Sequence, residues 1–430
     1  MTTQVETNLY DALRERGLIA QSTLDESAMR TLLDPEANGV GPVPTYIGFD
    51  PTADSLHVGS LVPIMALAWL QRCGHKPIVL VGGGTGLVGD PSGKSAARNM
   101  LSLNDIAGNA EAIRGQLAGF LSFDESPQSG GTGAVMVNNA DWLADLKWVD
   151  VLRDVGARLS VNRMLSMESV KGRIDSDSGI SYLEFSYMIM QAYDFVHLSR
   201  THRCRLQMGG QDQWGNIVMG IELGRKMDDA ELAGLTLPLV TKSDGTKFGK
   251  SEGGNVWLSA DRTSVYDFYQ FWRNTQDGDV ARYLKFFTFL PVEEIDAITA
   301  EGGVALNAAK ERLAVEVTGM VHGADAAQRA LDDSRKAFST AADVTGDAIP
   351  HSAITPAELA ELDVRDLLVK AGLAGSKGEA KKLIAGGGVR VGETKVTDIA
   401  ARLGVDDATD GYLLLRAGKK RMHRFDVTEA

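Results

Sequence analysis

Fifteen residues, Tyr46 to Ser60 (YIGFDPTADSLHVGS), constrain this chain more than any other stretch. The run from Val43 to Phe49 reads as a β-strand and ends in a turn rich in Asp, Pro and Thr. The chain then passes straight into an apolar helix, Leu61 to Leu70, with His57 and Gly59 in or near its first turn. A strand, turn and helix in that order aim backbone N–H groups and a helix N-terminus at one point, where a polyphosphate is stabilised. Gly59 has no side chain, so a flat ring can lie close against the backbone. Taken alone, the stretch also fits a parallel strand followed by a capped helix with an incidental histidine.

A second stretch, Thr241 to Gly254 (TKSDGTKFGKSEGG), narrows the choice. It sets Lys247 and Lys250 three apart in a loop punctuated by glycines, with Ser251 following. Lysine is a mobile point charge suited to charge developing on phosphates, and glycines let a loop move over a bound substrate. A solvated surface loop has the same composition. As a pair, the two stretches resemble the ATP motifs of class I aminoacyl-tRNA synthetases, His-x-Gly-His near the start and Lys-x-x-Lys-Ser/Thr at the end of the nucleotide fold. The residues between and before them are similar to the bacterial tyrosyl-tRNA synthetase family, from about Leu9 to Phe425.

Composition sets the outer bounds. The chain has 430 residues, 44% hydrophobic and 23% charged, enough for two or three domains with real cores. Cys73 and Cys204 form no Cys-x-x-Cys pair and lie near no histidine cluster, so neither a disulfide framework nor a metal site is expected and a reducing cytoplasm is the natural setting. No apolar signal-peptide core opens the chain and no membrane-spanning run occurs. The net charge of −13 argues against a whole-surface nucleic-acid binder. It is unevenly spread, however: from Glu361 to Ala430, 13 basic residues meet 11 acidic ones, against 31 and 46 in the rest. An acidic body with a locally basic tail suits a protein that holds one polyanion at chosen points.

The first half alternates strand-like and helix-like segments, the pattern of a parallel α/β sheet, with strands expected over Lys76 to Gly82, Val135 to Asn138 and Cys204 to Gly209. The expected organisation is a nucleotide-fold catalytic domain over 1–255, a helical domain over 256–342, a linker over 343–358 and a small α/β module over 359–430. The segment 122–181 changes character: a loop at Ser126 to Gly133, then helices from Asp141 to Met167 bearing Trp142 and Trp148. It resembles the connective insertion that forms the dimer interface in the family, so a homodimer is implied.

Two motifs mislead. Gly84-Thr85-Gly86-Leu87-Val88-Gly89 matches a dinucleotide fingerprint, but the third glycine must sit in a helix and here precedes Asp-Pro-Ser-Gly, which cannot continue one. Nor does a strand with an acidic end follow about 20 residues on. Gly89 to Ser95 looks like a phosphate loop with one residue too few between its glycines.

The segment Glu184 to Phe195 is helix-like and sets Tyr187, Gln191 and Asp194 at i, i+4 and i+7, on one face. Three polar groups on one stripe of a Met/Phe-rich helix are too many to leave unpaired in a core; a surface stripe is the alternative, set against the apolar character of the other faces. The family pattern implies that Asp194 and Tyr46 hydrogen-bond a substrate phenol. It implies that Tyr187, Gln191 and Asp90 hold its α-ammonium, with Gln207 close by and Gln213 near the carboxyl group. Gly210 and Asp212 match positions that take the ATP ribose, and Gly48, Asp50, His57, Gly59, Ser60 and Lys250 belong to the same nucleotide site. Thr52 and His57 match the γ-phosphate side, Lys247 and Lys250 the pyrophosphate, and Lys94 and Arg98 the other rim. The implied reaction is attack of a tyrosine carboxylate on the α-phosphate of ATP, then transfer of tyrosyl to tRNA(Tyr). Mg²⁺ would accompany the ATP, with no tightly bound cofactor. A carboxylate is nucleophilic at neutral pH, so positioning and charge stabilisation carry the rate.

The chain departs from the pattern at Ser60, where histidine is usual, and at Gln211, where serine is common. The tail, Ser376 to Glu393, reads as a short basic helix, a glycine turn and a hairpin, and resembles the S4-type RNA-binding module. Lys377 and Lys381 lie at i, i+4 beside Lys382, and Lys419, Lys420 and Arg421 add charge suited to phosphates. Three alternatives stay open on sequence. The sister tryptophan enzyme is disfavoured by the polar, phenol-sized end that Tyr46 and Asp194 give the pocket. A regulatory protein on an inactive synthetase body is favoured only by Ser60, and a dehydrogenase is more remote.

Overall fold

The computed structural model describes residues 5–428 except 91–102, 125, 127–129, 175–178, 247, 252–253, 340–349, 393, 410 and 419–420. For 103–104, 169, 250–251, 304 and 337–339 it describes the backbone alone. The chain forms two compact units, 1–259 with 275–309, and 260–274 with 310–430.

The first unit is built on a six-stranded sheet of β1 (Gln21–Ser22), β2 (Pro44–Phe49), β3 (Lys76–Val81), β4 (Val135–Asn138), β5 (Leu206–Gly210) and β6 (Ala233–Leu237), in the order β1-β6-β5-β2-β3-β4. All neighbours are parallel except β1, which runs antiparallel on β6. Parallel strands are buried on both faces, and β3 reads accordingly as KPIVLV with only its lysine partly exposed. The chain leaves β2 to build β3 and β4 on one side, then returns to build β5 and β6 on the other. The strand order therefore reverses beside β2, and a crevice opens at the carboxyl ends of β2 and β5.

Two helices shape that crevice. Leu61–Arg72 is apolar almost throughout and is preceded by the short 3₁₀ turn Val58–Ser60. Tyr182–His202 starts at a capping box: the Ser181 hydroxyl accepts from the Glu184 N–H and the Glu184 carboxylate accepts from the Ser181 N–H. It stops at Arg203, whose φ of 53° cannot continue a helix. The turn after β3 is the 3₁₀ segment Thr85–Leu87, and Gly89, at a φ of 85°, does not sit inside a helix as a dinucleotide fingerprint requires. The phosphate-loop lookalike ends outside the described residues.

Beyond β6 come the two-stranded ribbon of β7 (Lys250–Ser251) and β8 (Gly254–Asn255) and the helix Val280–Phe287. The buried Arg16 guanidinium donates to the carbonyls of Lys285, Thr288 and Leu290 and lies 4.2 Å over the Trp69 ring, which ties the end of that helix to the N-terminal one, Leu9–Glu15.

The second unit holds a five-stranded sheet of β9 (His351–Ile354), β10 (Val389–Val391), β11 (Thr394–Lys395), β12 (Tyr412–Ala417) and β13 (Arg421–Val427), in the order β11-β10-β12-β13-β9. One face packs Val389, Leu413, Leu415 and Phe425 on Leu367, Leu368 and Ile384 of the helices Val364–Lys370 and Lys377–Ala385. The other face buries Tyr412, Leu414 and Met422 with Tyr266 of the helix Val265–Arg273. Two features differ from expectation. Part of the expected linker is strand β9, because residues 351–354 pair parallel with β13 at the sheet edge. The expected helical domain divides between the units, since Val265–Arg273 packs on Ala324–Ser339 and on the β12–β13 face.

Candidate active site

A cleft of about 360 Å³ opens in the first unit, at the carboxyl ends of the central strands. Strand β2 and its following turn give it Tyr46, Gly48, Asp50, His57, Gly59 and Ser60. The helix Tyr182–His202 contributes Tyr187, Gln191 and Asp194, so the stripe inferred at i, i+4 and i+7 faces one cavity. Strand β5 and its turn supply Gln207, Gly210, Asp212 and Gln213, and Asp90 stands opposite. Thr52 is not among the lining residues: it lies exposed in the turn, its N–H donating to the Asp50 carbonyl at 2.8 Å. Lys94, Arg98 and Lys247 lie outside the described residues, and of Lys250 and Ser251 only the β7 backbone is placed.

The buried end is organised around Asp194, 1% exposed. Its Oδ2 accepts from Asn139 Nδ2 at 2.9 Å and its Oδ1 from Trp142 Nε1 at 2.8 Å. Asn139 also donates to Thr85 Oγ1 and accepts from the Gly84 N–H, while Trp142 stacks on His197 at 4.2 Å. Burial pushes the Asp194 carboxyl up to about 7; the two donors oppose the shift and the nearby Asp50 charge adds to it. Beside it, the Tyr46 hydroxyl and Gln207 Oε1 are buried without a hydrogen-bond partner. Burial, reinforced by Asp194, also keeps the Tyr46 phenol protonated well above its usual range. Unpaired buried polar atoms cost about 1–3 kcal/mol each, so a cavity holding two of them fits a ligand with a polar tip. Asn139 and Trp142 were missed from sequence. Trp142 had been assigned to the connective insertion, yet it stands at the end of β4 and reaches the site across 52 residues.

The middle of the cleft is a chain of amides and carboxylates. Asn216 Nδ2 donates to Gln191 Oε1 at 3.1 Å and to Gln213 Oε1 at 3.0 Å, and Gln213 Nε2 donates to Asp90 Oδ2 at 2.7 Å and to Asp212 Oδ2 at 3.2 Å. Asn216 is a further residue that sequence did not single out; it lies one turn beyond the Gly209–Gln213 stretch. At Gly210 a Cβ would lie 2.5 Å from Asp212 Oδ1, so a side chain there would displace that carboxylate.

At the outer end, His57 caps the 3₁₀ turn: its Nδ1 accepts from the Gly59 N–H at 2.9 Å. Burial lowers its pKa, favouring neutral imidazole, and an acceptor Nδ1 leaves the proton on Nε2, a donor. A side chain at Gly59 would come 2.6 Å from His57 Cε1. The glycine-punctuated loop docks on this turn. Val58 N–H donates to Val256 C=O and Val256 N–H to Gly249 C=O, while Gly249, at φ 83°, sits where a Cβ would lie 3.2 Å from Val58 Cγ2. The two motifs, nearly 200 residues apart, therefore meet through their backbones.

In the second unit, the Lys377 ammonium pairs with Asp366 at 2.5 Å, whereas Lys381 and Lys382 are exposed. Lys419 and Lys420 lie outside the described residues, and Arg421 opens β13. A feature absent from the sequence reading is a basic row. Lys395, Arg390 and Arg416 stand directly opposite one another on the adjacent strands β11, β10 and β12. Like charges in that register repel unless an anion offsets them.

Comparison with known proteins places this geometry. Residues 40–339 match the family model for class I tRNA synthetases (W and Y), and residues 343–424 match that of the tyrosine–tRNA ligase SYY-like C-terminal domain. A tyrosine–tRNA ligase of Rhodospirillum rubrum is 50% identical over 410 residues, covering 95% of each chain, and one of Desulfatibacillum aliphaticivorans is 46% identical over 439 residues, covering 98% of this chain and 99% of that protein. Among solved structures, a C-terminally truncated mitochondrial tyrosyl-tRNA synthetase of Aspergillus nidulans superposes with a TM-score of 0.66 at 32% identity, over 77% of this chain and 94% of that one.

The state of Asp194 has a measurable consequence. Its folded pKa of about 7 lies above the ordinary carboxyl value, so protonation favours the folded state. The associated stability is complete below about pH 4 and is lost as pH rises through 7. Denaturant unfolding across that range is expected to show wild type losing up to about 4 kcal/mol relative to Asp194→Asn. Parallel profiles for the two proteins would contradict the shifted carboxyl.

Proposed function

The chain belongs to the class I tRNA synthetases of the tryptophan and tyrosine group, and from that membership we propose that it is a tyrosine–tRNA ligase. It joins L-tyrosine to ATP, giving tyrosyl-adenylate and pyrophosphate, and passes the tyrosyl group to tRNA(Tyr). The observation that carries the choice of amino acid is the buried Asp194 carboxylate flanked by the unpaired Tyr46 hydroxyl and Gln207 Oε1. A phenol donates to the carboxylate and accepts from the Tyr46 hydroxyl. An indole offers one donor at a different place, and phenylalanine leaves the buried atoms unpaired.

The substrate then lies along the cleft, its α-ammonium toward Tyr187, Gln191 and Asp90 and its carboxylate toward Gln213. Asp212 accepts from the ATP ribose beside Gly210, which brings the tyrosine carboxylate within reach of the α-phosphorus. The new bond forms between a carboxylate oxygen and that phosphorus. The bond to the bridging oxygen breaks, and pyrophosphate leaves with the electron pair. Thr52 and the His57 Nε2–H meet the γ-phosphate side and Lys247 and Lys250 the departing pyrophosphate, with Ser60 beside the nucleotide and Lys94 and Arg98 on the other rim, so charge is stabilised as it grows. Mg²⁺ enters with the nucleotide as part of the substrate. A ribose hydroxyl at the tRNA 3′ end then attacks the acyl carbon and AMP departs.

Two macromolecular contacts complete the proposal. The tRNA is held partly by the second unit, where Lys381, Lys382, Arg390 and Lys395, all exposed, present cations to phosphates. A second copy of this chain covers the insertion: eight of the twelve large apolar side chains strongly exposed among the described residues fall between 148 and 183, among them Trp148, Val149 and Tyr182. The setting is cytoplasmic, where Cys73 and Cys204, both buried and unpaired, stay reduced; recovery from an oxidising compartment on fractionation would contradict it. No helix among the described residues is long and apolar enough to cross a membrane.

Asp194→Ala is expected to lower kcat/KM in adenylate formation far more for tyrosine than for phenylalanine, by about 1–3 kcal/mol of discrimination. Equal losses for both amino acids would remove Asp194 from the phenol.

The double variant Arg390→Gln/Lys395→Gln is expected to raise the KM for tRNA several-fold and to flatten its salt dependence by roughly 0.7–0.9 per lost phosphate contact, with adenylate formation intact. An unchanged tRNA KM would exclude that face.

Sedimentation equilibrium is expected to find a dimer that Val149→Asp/Leu152→Asp converts to monomer. A monomeric wild type at micromolar concentration would refute the interface.

A further inference from the structure

The loop that carries Lys247 and Lys250 is secured at both ends. Its leaving limb rests on the His57 turn, through Gly249 against Val58 and the Val256 N–H to Gly249 C=O bond. Its entering limb is held by a separate cluster just ahead of the helix Val280–Phe287. Asp279, 1% exposed, accepts at Oδ2 from the Ser243 N–H at 2.9 Å and from Ser243 Oγ at 3.1 Å. At Oδ1 it accepts from Arg282 at 2.6 Å, and the same guanidinium donates to the Thr241 carbonyl. Gln276 closes the cluster: its Oε1 accepts from the Ser243 hydroxyl at 2.8 Å and its Nε2 donates to Asp244 Oδ2 at 2.6 Å. Asp244 in turn accepts from the N–H and hydroxyl of Thr246. Phe248, between the two lysines, stacks on Phe287 at 5.5 Å and meets the edge of Tyr283.

None of Ser243, Gln276, Asp279 and Arg282 lines the cleft. A buried carboxylate satisfied by three donors is a rigid point; its bonds to the loop end at Ser243, and Arg282 carries the hold on to Thr241, in the stem just ahead of the lysines. We propose that Asp279 is a positioning residue for adenylate formation: through Ser243 and Arg282 it fixes the stem of the loop whose lysines act on the departing pyrophosphate. The proposal rests on the assignment of Lys247 and Lys250 to the leaving group. With the stem fixed, little conformational freedom is lost when the lysines engage the leaving group; with it loose, they arrive at the transition state less often, and kcat falls while tyrosine binding does not.

Asp279→Asn keeps the shape but turns an amide N–H₂ toward donors that need an acceptor, so either Ser243 or Arg282 loses its partner. Single-turnover kinetics on the full-length protein compare Asp279→Asn, Lys250→Ala and the double variant. Asp279→Asn is expected to slow adenylate formation by about tenfold, with tyrosine Kd and transfer from preformed adenylate to tRNA changed by less than about twofold. In the Lys250→Ala background the same substitution is expected to add less than about threefold, because the two residues act through one loop. Losses that multiply in the double variant, or equal slowing of both chemical steps, would overturn the proposal and leave Asp279 as ordinary core. If Lys250→Ala alone leaves adenylate formation unchanged, the underlying lysine assignment falls instead, and the anchor with it. Should Asp279→Asn fold poorly, Ser243→Ala removes one hydroxyl from the same cluster, and the same non-additivity with Lys250→Ala is expected; multiplied losses there overturn the proposal equally.

Discussion

A single carboxylate shut away from water governs the architecture of the cleft. Asp194 is brought to the floor by a helix whose capping box sets its start, and is held by donors that arrive from the end of β4. Isolating a charge in this way is costly, and the cost is met only while Asn139 and Trp142 stay in place. Those two are themselves fixed by Thr85, the Gly84 N–H and the His197 ring, so the turn after β3 is shaped by the same demand. Gly82 belongs to this constraint as well, since a side chain there would collide with Asp50 and Thr85. The sheet order supplies the crevice, and the carboxylate decides what can fill it.

The other end of the cleft works by different physics. Around His57 and the lysine loop, backbone groups and a half-buried imidazole shape the cleft, a setting suited to a polyanion. The loop is joined to the His57 turn by main-chain contacts and at its stem to the Asp279 cluster. On the proposed function, selectivity thus falls to a buried floor with a polar end and catalysis to a charged rim.

Much of this was legible in the sequence because the signals were local. The strand–turn–helix at Tyr46 to Ser60, the paired lysines and the Tyr187–Gln191–Asp194 stripe each depend on spacing within one element, and the stripe lines one cavity with Tyr46, Gly48, Asp50, His57, Gly59 and Ser60, though not with Thr52. What was missed was non-local. Asn139 and Trp142 reach Asp194 across more than fifty residues, and only the crossover that lays β4 beside β3 reveals it. The basic row of Lys395, Arg390 and Arg416 depends on strand register, which charge counting cannot see. Strand β9 hid in a proline-flanked stretch that reads as linker because its partner, β13, lies seventy residues on. Lys377 shows the converse: helical spacing put it on a basic face, but Asp366, from a neighbouring helix, claims its ammonium group.

The division between floor and rim makes amino-acid selection separable from nucleotide chemistry. ATP–pyrophosphate exchange measured side by side with tyrosine, tryptophan and phenylalanine tests it most directly. Tyrosine is expected to support exchange with a kcat/KM at least about a hundredfold above either competitor, the scale set by leaving buried polar and charged groups unpaired. Exchange with tryptophan at or above the tyrosine rate, or with phenylalanine at a similar one, would contradict the role given to Asp194 and Tyr46.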